Sequence, residues 1–219
     1  MGVNTKEHRT QNTGGGNNMQ YEENKVVLRG TISKNPEFSH HMFGEDFYSC
    51  NISVKRRSGI IDNIPIIFSE NRITLKIKKG MRIEFEGALR SWNKIEDGKS
   101  KLKIYVFVKK ACITPEVEDC NVVNITGFLC KKPVWRTTPL DRVIADFLIA
   151  INRVNDELRY CKSAYIPCII WERNADRIYQ YDPGTQLEVT GRIQSREYEK
   201  EEKSMEVYEL SCSDFKVCS

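Results

Sequence analysis

Four blocks of this 219-residue sequence occur twice, in the same order and at similar spacing. Val26-Val27-Leu28-Arg29-Gly30 is echoed by Val123-Asn124-Ile125-Thr126-Gly127, and a proline follows six residues after each glycine, Pro36 and Pro133. Ile64-Pro65-Ile66-Ile67-Phe68 returns as Ile166-Pro167-Cys168-Ile169-Ile170-Trp171. Lys79 to Gly87 parallels Pro183 to Gly191, and Ala88-Leu89-Arg90-Ser91 parallels Arg192-Ile193-Gln194-Ser195. Four matched blocks in register imply a duplicated folding unit. The units are placed at 24–112 and 121–219, joined by a short acidic, proline-containing linker at 113–120 that holds them close. Residues 1–23 (rich in Gly, Asn, Thr and charge) are expected to be a disordered tail.

Each unit has the period of half-buried strands. Val26, Leu28 and Ile32 alternate with Val27, Arg29, Thr31 and Ser33, and Tyr48, Cys50, Ile52 and Val54 with Phe47, Ser49, Asn51, Ser53 and Lys55. In the second unit strands are expected at 122–130, 142–153, 164–171, 186–198 and 205–217. One helical stretch, Glu172 to Tyr181, falls between the third and fourth and ends at Asp182-Pro183-Gly184. Five strands with a short helix or turn after the third give an all-β fold: two tandem OB-fold barrels, each a five-stranded Greek key.

The composition excludes several classes. No run approaches the roughly 18 apolar residues of a membrane span, and the first twenty residues lack a secretory apolar core. Eight cysteines form no CxxC, and His8, His40 and His41 form no ligand pair, so reduced thiols acting as small hydrophobes in a cytoplasm are expected, with no metal and no cofactor. Phosphate loops, HExxH and GxSxG are absent, so an enzyme is not expected. Charge divides unevenly. Residues 24–112 carry 12 Lys and 6 Arg against 3 Asp and 6 Glu, whereas 121–219 carry 14 basic and 15 acidic residues. The first unit therefore attracts a polyanion, and the second must bind by other means.

Strand phase supplies those means. In 165–171 the odd positions Tyr165, Pro167, Ile169 and Trp171 point away from the small aliphatic set Ile166, Cys168 and Ile170, with Arg173 in the same phase. In the next strand Leu187, Val189 and Ile193 face the core, leaving Arg192, Gln194, Arg196 and Tyr198 outward. Two strands thus direct rings and cations to one side, the pattern that stacks bases and tracks phosphates. Trp135 reads as packing or loop contact instead. The first unit has Asn63 and Ser69 where the second has Tyr165 and Trp171. It keeps Arg90 and Trp92 in the outward phase of Arg82, Glu84, Glu86 and Ala88, and places a basic cluster, Lys55, Arg56 and Arg57, at a strand end, with Arg56 matching Arg153. Phosphate contact is expected mainly from the first barrel and stacking mainly from the second.

The strings Arg142 to Arg153, Tyr165 to Ala175 and Leu187 to Tyr198 resemble the second, third and fourth strands of the bacterial single-stranded DNA-binding protein family, in a tandem two-OB-domain form. The likeness is close over most of 121–217 and looser over 24–112. It implies non-enzymatic, largely sequence-independent binding of single-stranded DNA in replication, recombination or repair, with Tyr165, Trp171 and Tyr198 at base-stacking positions. It also implies oligomers, here a homodimer supplying four OB domains. The sequence ends Asp214-Phe215-Lys216-Val217-Cys218-Ser219, without the acidic tail by which many members recruit partners. The alternative is a protein-interaction OB module, a primosome or mobile-element accessory factor, and RNA binding is a third reading.

Overall fold

The computed structural model describes residues 24–96, 98–115, 117–155, 160–200 and 203–218; for 96, 99, 153–155, 160–162, 197–200 and 203–205 it describes the backbone alone. The expected tail at 1–23 lies outside these residues.

The first unit contains β1 (Asn24–Ile32), β2 (Glu37–Met42), β3 (Glu45–Lys55), β4 (Ile61–Ser69), β5 (Arg82–Glu96) and β6 (Lys99–Ile113). β1 pairs antiparallel with both β3 and β5, β3 with β4, and β5 with β6. A short parallel pairing of β4 with β6 closes the ring. The second unit repeats this arrangement with β7 (Cys120–Leu129), β8 (Val134–Thr137), β9 (Val143–Asn155), β10 (Tyr160–Trp171), β11 (Gln186–Lys200) and β12 (Lys203–Val217). Here β7 pairs with β9 and β11, and β10 runs parallel to β12. Both rings are OB-type barrels.

The rings are five-stranded as expected, and three details differ. Among the described residues each unit carries a sixth strand outside its ring, because β2 and β8 hang on the outer edge of β3 and β9. Nearly all of their residues are exposed, so they show no burial alternation for a sequence pattern to reveal. The helix, α1, is shorter than expected, Arg173–Ile178, and buries only Ala175 and Ile178. The connection is also tighter, since β6 extends through Ile113 and β7 begins at Cys120.

The cores follow the alternation. Val26, Leu28, Ile83, Phe85 and Val106 are fully buried in one barrel, and Val123, Ile125, Ile166, Ile170 and Leu187 in the other. Each such side chain contributes about 1.5–3 kcal/mol. Cys50, Cys168 and Cys212 belong to these cores as free thiols. Burial pushes the Cys50 thiol up to about 12 and raises that of Cys168 as well. Repeat mates Gly87 and Gly191 sit where β5 and β11 bulge. A Cβ there would lie 2.3 Å from the Phe107 carbonyl oxygen or 2.4 Å from that of Ser211, so no larger residue fits.

The barrels are joined by sheet pairing. β1 lies antiparallel to β7, with Asn24 opposite Ile125, Val26 opposite Val123 and Leu28 opposite Asn121. Val26 and Val123 are repeat mates, as are Asn24 and Asn121, so the junction is isologous, like that of a two-fold dimer within one chain. Asn24 brackets the backbone of Leu89, donating to its carbonyl at 2.9 Å and accepting its N–H at 2.8 Å. Asn121 does the same to Ile193, at 2.7 and 3.0 Å.

Candidate nucleic-acid interface

Two seams flank this junction. At the first, the Tyr165 N–H donates to Ser91 Oγ at 2.8 Å, setting β10 against β5. Tyr165 is 45% exposed and Trp92, one residue beyond Ser91, is 39% exposed. The rings expected from the two barrels are therefore carried on adjoining strands. Trp92 meets Tyr105 edge-on, with centroids 4.8 Å apart, which fixes its orientation. Arg90 lies over the Phe107 ring at 3.4 Å from the centroid, so its cation is held against the barrel.

Phase holds along most of β10. Ile166, Cys168 and Ile170 are buried, Tyr165 is exposed, and Pro167 and Trp171 are half-buried. Ile169 departs from it, being 5% exposed in the outward phase. In the first barrel Phe47, Ser69 and Ala88 are likewise buried rather than outward, Phe47 lying against the Phe107 ring. On β11, Arg192 and Arg196 are exposed and Gln194 half-buried. Gln194 Nε2 donates to Glu209 Oε1 at 2.8 Å, and Arg196 Nε lies 3.5 Å from the same oxygen. Glu209 is only 8% exposed, so this carboxylate anchors the row from beneath. Tyr198 lies opposite Met205 and Arg153 opposite Lys162 in their strand pairs, and the side chains of both are outside the described residues.

At the second seam the barrels enclose a cleft of about 1120 Å³. Its walls bring Lys55, Arg56 and Arg57 from the end of β3 together with Arg82 from β5 and Arg192 from β11. The sequence placed Arg192 in a row with Gln194 and Arg196; in the fold it turns to the first barrel's cations. Two of the five are paired. Arg56 forms a two-point bridge to the fully buried Asp62, its Nε donating to Oδ2 at 2.6 Å, and Asp62 Oδ1 also accepts the Ser195 N–H at 3.0 Å. Arg82 donates to Asp119 Oδ1 at 2.8 Å, while Asp119 Oδ2 accepts the Lys55 N–H at 2.7 Å, binding the linker to the first barrel. The Lys55, Arg57 and Arg192 side chains complete the positive lining, against Glu118. Loss of hydration, then the nearby Arg56 charge, lowers the Arg192 pKa, yet it remains a cation. An anion entering the cleft relieves that crowding.

The end of β10 differs from expectation. Trp171 has the Arg142 guanidinium over its ring, 4.5 Å from the centroid, and Arg142 Nε donates to Glu172 Oε1 at 2.9 Å. Arg173 is exposed at the start of α1. Trp135 is 43% exposed and donates from Nε1 to Asp176 Oδ1 at 2.9 Å, a loop-to-helix contact. Sequence reasoning missed Asp62, Ser91 and Arg142. Asp62 had a signal, since it occupies the inward phase of Ile64, Ile66 and Phe68. Arg142 had none, because the turn holding it shows no periodicity.

Among the described residues no cluster of His, Cys, Asp or Glu could hold a metal ion, and no helix is long and apolar enough to cross a membrane.

Residues 120–218 match the model of the single-strand binding protein family. Over 95 residues the chain is 37% identical to single-stranded DNA-binding protein 1 of Staphylococcus aureus (strain COL), covering 42% of this chain and 57% of that protein. Over 100 residues it is 35% identical to the single-stranded DNA-binding protein of Enterococcus faecalis (strain ATCC 700802 / V583), covering 44% and 53%. The chain thus spans about half the length of the curated relatives it matches. The crystal structure of the wild-type single-stranded DNA binding protein from Thermus aquaticus aligns over 90% of this chain and 94% of its own, with a TM-score of 0.70 at 17% identity. That likeness establishes the double-barrel fold across both units. The second unit, residues 120–218, is thus similar in sequence to the single-strand binding protein family.

Proposed function

We propose that this chain binds single-stranded DNA without catalysis and with little sequence preference, in replication, recombination or repair. Bases stack on Tyr165, Trp171, Tyr198 and Trp92. Phosphates run along Arg173 and Arg196 and enter the cleft lined by Lys55, Arg57 and Arg192. The observation that carries this reading is the Tyr165–Ser91 bond, which sets the second barrel's exposed ring beside the strand bearing Trp92. Stacking is sequence-tolerant because every base has a π-face, and the cations add a salt-dependent contribution. The curated relatives' names, single-stranded DNA-binding protein, support the same ligand.

Arg56 serves the barrel junction in this reading rather than the strand, and Arg90 backs Phe107. A homodimer supplying four barrels, acting in the cytoplasm, completes the proposal. The test is titration with oligo-dT of increasing length, read by tryptophan emission and light scattering. Quenching that saturates at a defined length, on a particle of twice the chain's mass, is the expected result. Unchanged emission and no complex with dT oligomers would sink it in favour of a protein-interaction module. Preference for oligo-U would redirect it to RNA.

A further inference from the structure

β9 is entered through a tight turn. The Thr138 N–H donates to the Arg142 carbonyl at 2.8 Å, the Arg142 N–H to Thr138 Oγ1 at 3.1 Å, and the Asp141 N–H to the Thr138 carbonyl at 2.9 Å. Asp141 adopts φ 54° to make it. Facing this turn, β10 ends at Trp171, and Glu172 adopts φ 52° with its N–H bonded to the Val143 carbonyl at 2.9 Å. Neither residue is glycine, so both backbones are held where a Cβ is disfavoured, a strain that clusters at working sites. Both strained residues bear on Arg142: one precedes it, and the other supplies the carboxylate that binds its Nε at 2.9 Å. Between them the guanidinium covers Trp171 at 4.5 Å.

The arrangement is poised for exchange. The Arg142 and Glu172 side chains are 54% and 53% exposed, and an ion pair so open to water is weak and easily replaced. A base cannot stack on the ring face that the guanidinium occupies. A backbone phosphate, however, takes a planar guanidinium through two parallel bonds at least as well as a carboxylate does. A strand reaching Trp171 therefore brings both replacements at once, a base for the ring and a phosphate for the arginine. Glu172 is repelled by that phosphate and acts as its competitor.

We propose that Arg142 is a strand-contacting residue, held over Trp171 by Glu172 in the free protein and transferred to a DNA phosphate when a base takes the ring. The inference rests on the single-stranded DNA reading of Trp171, but adds a residue, a competitor and an order of events.

The test uses the full chain and fluorescently labelled oligo-dT, with affinity measured by anisotropy across a salt series. Arg142→Ala is expected to weaken binding about three- to tenfold at low salt and to reduce the log–log salt slope by about 0.7, the loss of one single-strand phosphate contact. Glu172→Gln is expected to tighten binding about two- to threefold, by removing the competing charge. Arg142→Ala should also alter tryptophan emission before any DNA is added, an effect a remote surface arginine would not produce. If the wild-type chain binds oligo-dT and Arg142→Ala binds as tightly with the same slope, the exchange is overturned while the ligand reading stands. Glu172→Gln that binds no better overturns the competitor role. A wild-type chain that does not bind oligo-dT overturns both proposals.

Discussion

The backbone N–H of Tyr165 donates to the hydroxyl of Ser91 at 2.8 Å, so the ring that opens the second barrel's row hangs from the first barrel's fourth long strand. The repeat mate of Ser91 is Ser195, and at the opposite seam its N–H donates to Asp62 at 3.0 Å. The duplication thus uses the serine position twice, against neighbouring positions of β10 and β4, and reverses which strand supplies the side chain. The functional consequence is asymmetric. One seam hangs an exposed Tyr165 from the strand that bears Trp92, while the other buries a carboxylate among arginines.

Tyr165→Ala is expected to cost about 1–3 kcal/mol of oligo-dT affinity, the value of one stacked base. Trp92→Ala should cost a similar amount, and the double variant should lose less than the sum, because rings on adjoining strands share a bound segment. Ser91→Ala removes one hydrogen bond and should lower stability by about 1 kcal/mol, with a smaller effect on affinity than Tyr165→Ala. Urea unfolding and anisotropy titrations separate the two. Full additivity of the ring variants would place them on separate stretches of DNA.

Asp62 makes the opposite prediction, of stability without affinity. Its carboxylate is fully buried and accepts from Arg56 and Ser195. Asp62→Ala leaves the Arg56 guanidinium, itself mostly buried, without its partner, and should cost about 3–5 kcal/mol in urea unfolding. Arg57→Ala, one residue along and exposed, should stay within about 0.5 kcal/mol of wild type in the same measurement. Equal losses from the two would mean that the Asp62 bridge does not tie the barrels together.

This contrast explains what the sequence could reveal. Five strands per barrel were legible because Val26, Leu28, Ile83 and Phe85 alternate with solvent-facing residues, and burial imposes that period. β2 and β8 were not, since an edge strand with no buried side has no pattern. Tyr165 was placed outward correctly by the same alternation. Arg56, Arg57 and Lys55 looked equivalent as a cluster, and only the fold distinguishes the one facing Asp62 from its neighbours. Phase put Arg192 with Gln194 and Arg196. The Thr190/Gly191 bulge lies just before it on β11, and Arg192 faces the first barrel's cations while Gln194 and Arg196 gather on Glu209. Contacts between units lie beyond the reach of periodicity.

The thiols provide an independent check of the cores. With the Cys50 thiol pushed up to about 12, roughly one molecule in ten thousand carries that thiolate at pH 8, and burial adds a steric block. Cys168, also raised, and Cys212 share the interior. In the native chain a thiol reagent at pH 8 should modify the exposed Cys112 readily and reach the buried Cys50, Cys168 and Cys212 only on unfolding. Peptide mapping after timed labelling reads the order. Fast native labelling of Cys50 would show that the first barrel opens far more readily than its packing implies.

Salt dependence distinguishes the cleft from the rings. Each phosphate neutralised on a single strand contributes about 0.7 to the log–log salt slope, whereas stacking contributes nothing to it. Lys55→Ala, Arg57→Ala and Arg192→Ala should therefore each flatten the slope by up to about 0.7, and Tyr165→Ala should weaken binding equally at every salt concentration. Arg192 carries the sharpest version, because it belongs to the barrel with more acidic than basic residues yet lines a cleft dominated by the other barrel's cations. Its removal should flatten the slope for oligomers long enough to span both barrels and leave it unchanged for those occupying only the Tyr165 face. A uniform effect across lengths would place Arg192 on the stacking face with Gln194 and Arg196, and the cleft would then lie off the path of the strand.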